Sequence, residues 1–215
     1  MEEVKKHNWE KGTAAPIPEN KYEQFKEKLI EYSKNYEDRN LMLFVLARAT
    51  GYRMGDLVSL TIGQIKDAIE EGFFLIQESK QYKQWLSNLQ EYPNRKKPNK
   101  RKVYIKNNLE RYLRDYVKGK KRSEYAFPSN KSKNGIEPKS YSAILTDVGK
   151  KVGLKHISGH SPRKTYATRI YERSGRDLEK VRIALNHQSI EETKRYLGIK
   201  EKMQEDAAEI ADEDI

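Results

Sequence analysis

The stretch that most constrains the fold is Leu41-Met42-Leu43-Phe44-Val45-Leu46-Ala47. It lies inside a predicted helix from about Asp38 to Thr50. A helix that is apolar all round cannot present any face to water, so this one must be the central buried helix. Gly51 is its natural stop, because glycine accepts the left-handed backbone on which many helices end. Upstream, Pro16 and Pro18 precede a helix from about Glu19 to Tyr36. There Tyr22, Phe25, Leu29 and Tyr32 recur at intervals of three and four, the stripe of an amphipathic helix.

Further along, Phe73-Phe74-Leu75-Ile76-Gln77-Glu78 reads as a strand, with Arg101-Lys102-Val103-Tyr104-Ile105 as its partner. About twenty polar residues separate them. That is long for a hairpin turn, so a mobile or functional loop is expected. Helices are predicted at about Leu109–Val117, Ser140–Val152, Pro162–Ser174, Leu178–Asn186 and Ile190–Leu197, and in the acidic tail, with Tyr125-Ala126-Phe127-Pro128 as a short apolar link. No repeat is evident. The expected class is mainly α with a small antiparallel β-sheet or hairpin (α+β). Residues 1–18 read as a linker or tail, 19–199 as one folded domain and 200–215 as an acidic tail able to dock on a neighbouring copy.

Composition narrows the chemistry. With 36% hydrophobic and 35% charged residues the 215-residue chain is polar yet globular. It contains no cysteine, which rules out disulfides and cysteine-ligated metal. No apolar run approaches membrane-spanning length, and the N-terminus lacks the apolar core of a secretion signal; a reducing cytosol fits. The formal net charge is +11. The last sixteen residues hold seven acids and two lysines and so carry −5, leaving +16 on the other 199. A body that basic points to a polyanion, most simply nucleic acid. Between Arg95 and Lys102, six of eight residues are Lys or Arg (Arg95, Lys96, Lys97, Lys100, Arg101, Lys102), a candidate phosphate-contacting arm.

Two short segments carry chemistry. In Leu185-Asn186-His187-Gln188-Ser189-Ile190-Glu191-Glu192-Thr193-Lys194-Arg195-Tyr196, the Ser189…Glu192 pair reads as a capping box that starts a helix. On one unbroken helix, His187 and Tyr196 would face opposite sides. With the break they can meet over one ligand, and Lys194 and Arg195 favour an anionic one. In Gly159-His160-Ser161-Pro162-Arg163, Ser161 is read as the N-cap and Pro162 as the first helical residue. A helix N-terminus with an adjacent imidazole and guanidinium makes a phosphate site.

Taken together, Thr50-Gly51-Tyr52-Arg53-Met54-Gly55-Asp56-Leu57, then His160-Ser161-Pro162-Arg163 with Thr165-Tyr166-Ala167-Thr168 behind it, then Leu185-Asn186-His187 with Tyr196 nine residues on, resemble the tyrosine recombinase (phage integrase) family over about residues 19–198. The resemblance implies that 19–199 is a tyrosine recombinase catalytic domain. It makes Arg53 and Arg163 the two catalytic arginines, His160 the histidine of the His-x-x-Arg box, His187 the position filled by histidine or tryptophan, and Tyr196 the nucleophile. The family's catalytic lysine lies on or near the hairpin. Lys80 is the choice here, with Lys83, Lys100 and Lys102 as alternatives. Asp56 matches a supporting acidic position. Double-stranded DNA is the implied partner, contacted by Arg95, Lys96, Lys97, Lys100, Arg101, Lys102, Lys194 and Arg195. Other copies of the chain are implied too, as a tetramer on two DNA sites. No metal or other cofactor and no membrane are implied, and the setting is the cytoplasm of a bacterium, with a phage or mobile element as the source.

Two departures stand out. Asn186 replaces the family's usual glycine, which asparagine can do because it tolerates the left-handed region. The eighteen residues before the first helix are too few for the family's N-terminal clamp domain, so either an excised catalytic domain, the favoured expectation, or a naturally short member is expected, with weak DNA affinity. The competing expectation is a DNA-binding regulator that keeps the fold without strand transfer.

Overall fold

Helix α2 (Glu37–Thr50) is the hub of the computed structural model, which describes residues 14–212. Met42 through Ala47 are all buried. The helix packs against α1 (Tyr22–Ser33) and α6 (Asn107–Val117), and α1 also packs against α7 (Pro138–Lys151). Phe25 and Tyr22 of α1 both stack on Phe44 of α2. Gly51 ends α2 at φ +62 and donates its N–H to Ala47 O, the left-handed stop expected of it. Polar Arg39 and Asn40 near the start of α2 are buried too, because their groups find partners. Arg39 donates to Asn40 Oδ1 and to Pro128 O, and Asn40 donates to Ser33 Oγ.

The first predicted helix is interrupted rather than continuous from Glu19 to Tyr36. Short 3₁₀ turns, Glu19–Lys21 and Lys34–Tyr36, flank α1, and Lys34 sits at φ +47. The Ser33 hydroxyl turns back onto Leu29 O, a side-chain bond that competes with continuing the helix. Residues 1–13 lie outside the described residues. The segment after them is tied down: Ala15 N–H reaches His156 O, Ile17 N–H reaches Thr165 Oγ1, and both side chains are buried.

After α3 (Met54–Leu57) and α4 (Ile62–Glu71) comes the sheet. Strand β1 (Phe73–Ile76) pairs antiparallel with β2 (Arg101–Tyr104), Phe73 opposite Tyr104 and Ile76 opposite Arg101. The twenty-odd residues between them are not only a loop. Ser79–Asn88 forms helix α5. Its signal was a stripe at helical spacing, Tyr82, Trp85, Leu86 and Leu89. None of the α5 residues is buried, and the segment closes on itself instead. Trp85 Nε1 donates to Arg95 O, Tyr82 packs on Trp85, and the Lys97 ammonium lies over the Tyr82 ring.

The apolar link Tyr125–Pro128 buries Ala126 and Phe127 and makes single β-bridges at Thr61–Tyr125 and Pro128–Gly135. Gly135 is needed there: a Cβ on it would meet Val58 O at 2.1 Å, far inside van der Waals contact.

The remaining helices are α8 (Ser161–Arg173), α9 (Leu178–Leu185), α10 (Ile190–Leu197) and α11 (Ile199–Asp212). The chain divides into two compact units, one up to Thr165 and one from Tyr166 on. The first holds the large core around α2. The second is built on a small cluster of Ala167, Val181 and Leu185, against which Tyr166, Ile170, Tyr171, Tyr196 and Leu197 pack. Within it α10 packs on α9 and on α11. Asn186 ends α9 at φ +56, the left-handed role glycine would have filled. Among the described residues no helix is long and apolar enough to cross a membrane. Among the described residues the architecture is thus mainly helical with one two-stranded antiparallel sheet, as expected.

Candidate active site

In the first unit, the C-terminal end of α2 gathers arginines. Its last carbonyls have no partner within the helix and carry the negative end of the helix dipole. Arg101 Nη2 donates to Thr50 O, and Arg163 Nη1 donates to Gly51 O. Arg53 follows immediately, at the start of α3. Sequence reasoning missed the residue at the centre of this cluster. Glu78, fully buried between β1 and α5, accepts a hydrogen bond from Arg163 Nη1 at 3.0 Å on Oε1. Arg53 Nη1 lies 2.7 Å from the same oxygen, and Arg101 Nη1 3.9 Å. The Arg53 N–H is off line for a hydrogen bond, so that contact is Coulombic. A lone acid at a strand end reads from sequence as a solvated charge; only the fold reveals that three arginines surround it.

Asp56 is buried in the first turn of α3, and its Oδ1 accepts from both Ser79 N–H (2.9 Å) and Ser79 Oγ–H (2.6 Å). That fixes the start of α5 and with it Lys80, the next residue. Lys80 is exposed, and its charge reaches His160. Of the alternative lysines, Lys83 and Lys100 are exposed, and the Lys102 ammonium sits 3.8 Å from the Phe73 ring centre and 4.9 Å from that of Tyr104.

The turn before α8 differs in detail from the expected cap. Ser161 lies inside the helix, and its hydroxyl accepts from Ser158 N–H rather than capping; His160 O takes the first helical bond, from Lys164 N–H. His160 is exposed by surface area, yet the atoms around its ring desolvate it. That partial burial, then the charges of Arg163, Arg53 and Lys80, hold its pKa below the ordinary 6.5. The imidazole is therefore kept neutral near pH 7 and can accept a proton.

One assignment to the basic arm needs correcting. Arg101 is 4% exposed and turned inward, its guanidinium over the Tyr52 ring and bonded to Thr50 O. The Thr50 carbonyl at the end of α2 and the buried Glu78 carboxylate outcompete solvent for it. Arg95, Lys96, Lys97, Lys100 and Lys102 do lie on the surface.

In the second unit, Ser189 caps α10 by accepting from Glu192 N–H at 3.1 Å. The reciprocal half of the predicted box is shifted by one residue: the Glu192 carboxylate takes Gln188 N–H. The break before α10 brings His187 and Tyr196 together, ring centres 5.3 Å apart and edge to face. His187 is buried. Its Nδ1 lies 3.1 Å from Thr193 Oγ1, and Arg182 holds its backbone carbonyl. Tyr196 is half-buried, and Lys194 and Arg195 beside it are exposed.

Against known proteins, the model of the phage integrase family matches residues 17–203. The probable integrase/recombinase YoeC of Bacillus subtilis is 29% identical over 171 residues, 80% of this chain and 83% of that protein. Tyrosine recombinase XerA of Pyrococcus furiosus is 29% identical over 197 residues, 91% of this chain but 62% of XerA. Among solved structures, XerA recombinase superposes with a TM-score of 0.59 at 22% identity, over 86% of this chain and 59% of that one. XerH site-specific recombinase bound to its difH substrate gives 0.61 at 21%, over 86% and 50%. The Tn1549 transposon integrase in complex with a circular intermediate DNA gives 0.63 at 17%, over 88% and 62%. At these identities the solved structures speak for the fold alone, and the chain spans only about half to three fifths of each.

Proposed function

The chain belongs to the phage integrase family, and we propose that it is a site-specific DNA recombinase that cuts and rejoins DNA through a 3′-phosphotyrosyl bond to Tyr196. The observation that carries this reading is the convergence of Arg53 and Arg163 on one anionic oxygen, 2.7 and 3.0 Å away. Two guanidiniums that close together suit the non-bridging oxygens of a phosphodiester, whose charge grows during attack. Tyr196 Oη attacks phosphorus while its proton passes to a base. A phenol with a pKa near 10 needs one, and His160 is kept neutral for that role. The bond from phosphorus to the 5′-oxygen breaks, and Lys80 gives that oxygen a proton. His187 hydrogen-bonds the phosphoryl group. The covalent product keeps the energy of the broken bond, so the 5′-hydroxyl of the same or another strand can reverse the step.

In this reading Asp56 supports the site through Ser79. Arg95, Lys96, Lys97, Lys100, Lys102, Lys194 and Arg195 contact the backbone of double-stranded DNA, and further copies of the chain assemble on paired sites as a tetramer. The acidic segment 200–215 would dock on another copy. The protein would work where the DNA is, in the bacterial cytosol or nucleoid. The neighbours bound to DNA, XerH on difH and the lambda integrase dimer on a core site, support a DNA partner.

A covalent trap tests the proposal. The protein is incubated with nicked duplex fragments pooled from the genome that encodes it, in chelator, and denatured. DNA that stays attached to the wild type, and is lost in Tyr196→Phe, is the expected result. DNA binding without any adduct, or cleavage that strictly needs Mg²⁺, would sink the enzyme reading.

A further inference from the structure

Resting on that reading, we propose that Glu78 is the positioning residue of the site: a buried anion that sets the spacing and aim of the two phosphate-binding arginines. Arg53 and Arg163 are like charges, and unaided they would repel each other. Glu78 Oε1 lies between them, within 3.0 Å of a nitrogen on each, and lets them approach to the width of one oxygen. Burial makes the carboxylate a fixed part of the protein: no atom of its side chain reaches solvent. Its own place is fixed from both sides. Ser79, the next residue, is clipped to Asp56, and Arg101 stands 3.9 Å behind it while bonded to the end of α2.

Glu78 meets each arginine through one nitrogen: Arg163 Nη1, which also donates to Gly51 O, and Arg53 Nη1. The Arg53 side chain is 19% exposed against 4% for Arg163, so Arg53 is the more accessible of the pair. One negative charge among three arginines leaves the cluster at a net two positive charges. Glu78 therefore lowers the site's raw attraction for a phosphate while fixing its shape. A residue of that kind should matter more for the rate of the chemical step than for DNA affinity.

The test is Glu78→Gln, nearly the same shape without the charge, with Glu78→Asp beside it. Three quantities are read on the same protein: the single-turnover rate of adduct formation on the nicked duplex pool, the DNA concentration that half-saturates it, and the mobility of the Arg53 and Arg163 guanidiniums by ¹⁵N NMR relaxation. In Glu78→Gln the rate is expected to fall about 10- to 100-fold, with half-saturation unchanged or at lower DNA concentration. The acid limb of the rate profile should move to lower pH, because removing an anion strengthens the positive field at His160. Both guanidiniums should become mobile, and Glu78→Asp should restore part of the rate.

A wild-type rate in Glu78→Gln overturns the proposal. So does a rate loss matched by an equal loss of DNA binding, or unfolding of both variants. If the wild type itself forms no adduct, the recombinase reading fails separately. The NMR measurement then still decides: guanidiniums that stay as ordered in Glu78→Gln as in the wild type rule out positioning by Glu78.

Discussion

The two candidate clusters are held by different means. In the first unit, Arg163, Glu78 and Arg101 are almost wholly enclosed and locked by ion pairs and helix-end carbonyls against a core that runs through α1, α2, α4, α6 and α7. In the second, Tyr196 rests on three buried residues, Ala167, Val181 and Leu185, and His187 is held by local contacts to Thr193 and Arg182. The groups that would bear fixed positive charge are thus built into the more heavily packed part, where reorganisation is costly. The group that would form and break a covalent bond is carried by a lightly packed one, the kind of segment that opens locally at low cost.

The sharpest way to separate these roles is Tyr196→Phe. Adduct formation should vanish, while stability changes by about 1 kcal/mol or less, as read by a gel assay and a denaturant melt on the same sample. Arg163→Ala should do both kinds of damage. Breaking a buried ion cluster costs about 3–5 kcal/mol, and losing a preorganised donor slows the chemical step by about 10²–10³-fold. Arg163→Lys should rescue little, because an ammonium lacks the planar fork with which a guanidinium can hold two phosphate oxygens at once.

Core truncations test the packing contrast directly. Leu46→Ala and Leu185→Ala each remove a fully buried leucine, at about 2–5 kcal/mol. Hydrogen exchange should show the first loosening the large core and the second loosening α9 and α10 while amides of α2 stay protected. Equal loss of protection in both variants would erase the distinction drawn above.

The smallest expected effect is with pH. His160 has its pKa lowered on folding, so it favours the neutral form. Its stabilising contribution is full above the unfolded value of about 6.5, and is lost as pH falls through the lowered folded value. Adduct formation should accordingly hold through pH 6.5 and decline only below it, a limb that His160→Gln would flatten.

Much of this was legible in the sequence, for identifiable reasons. The run Leu41–Ala47 could only be a central helix, and Ser189 marked the start of α10 because a side chain at an N-cap acts locally. The His187–Tyr196 meeting followed from that break. What was hidden depends on long-range company. Glu78 and Arg101 look like ordinary surface charges until residues 50–56, 78 and 163 are brought together across the fold. Helix α5 was passed over because its apolar stripe sits in a strongly polar stretch and buries nothing.

The bond from Asp56 to Ser79 has a practical meaning for anyone wishing to rebuild this protein. It clips the start of the long insert to α3, and Arg101 clips its far end to the last turn of α2. Whatever length of chain is spliced between residues 82 and 99, Lys80 and Glu78 are moored upstream of it. The insert is a cassette: a place where the protein can be refitted with a different segment, or a reporter, while Glu78 and Lys80 stay at anchor.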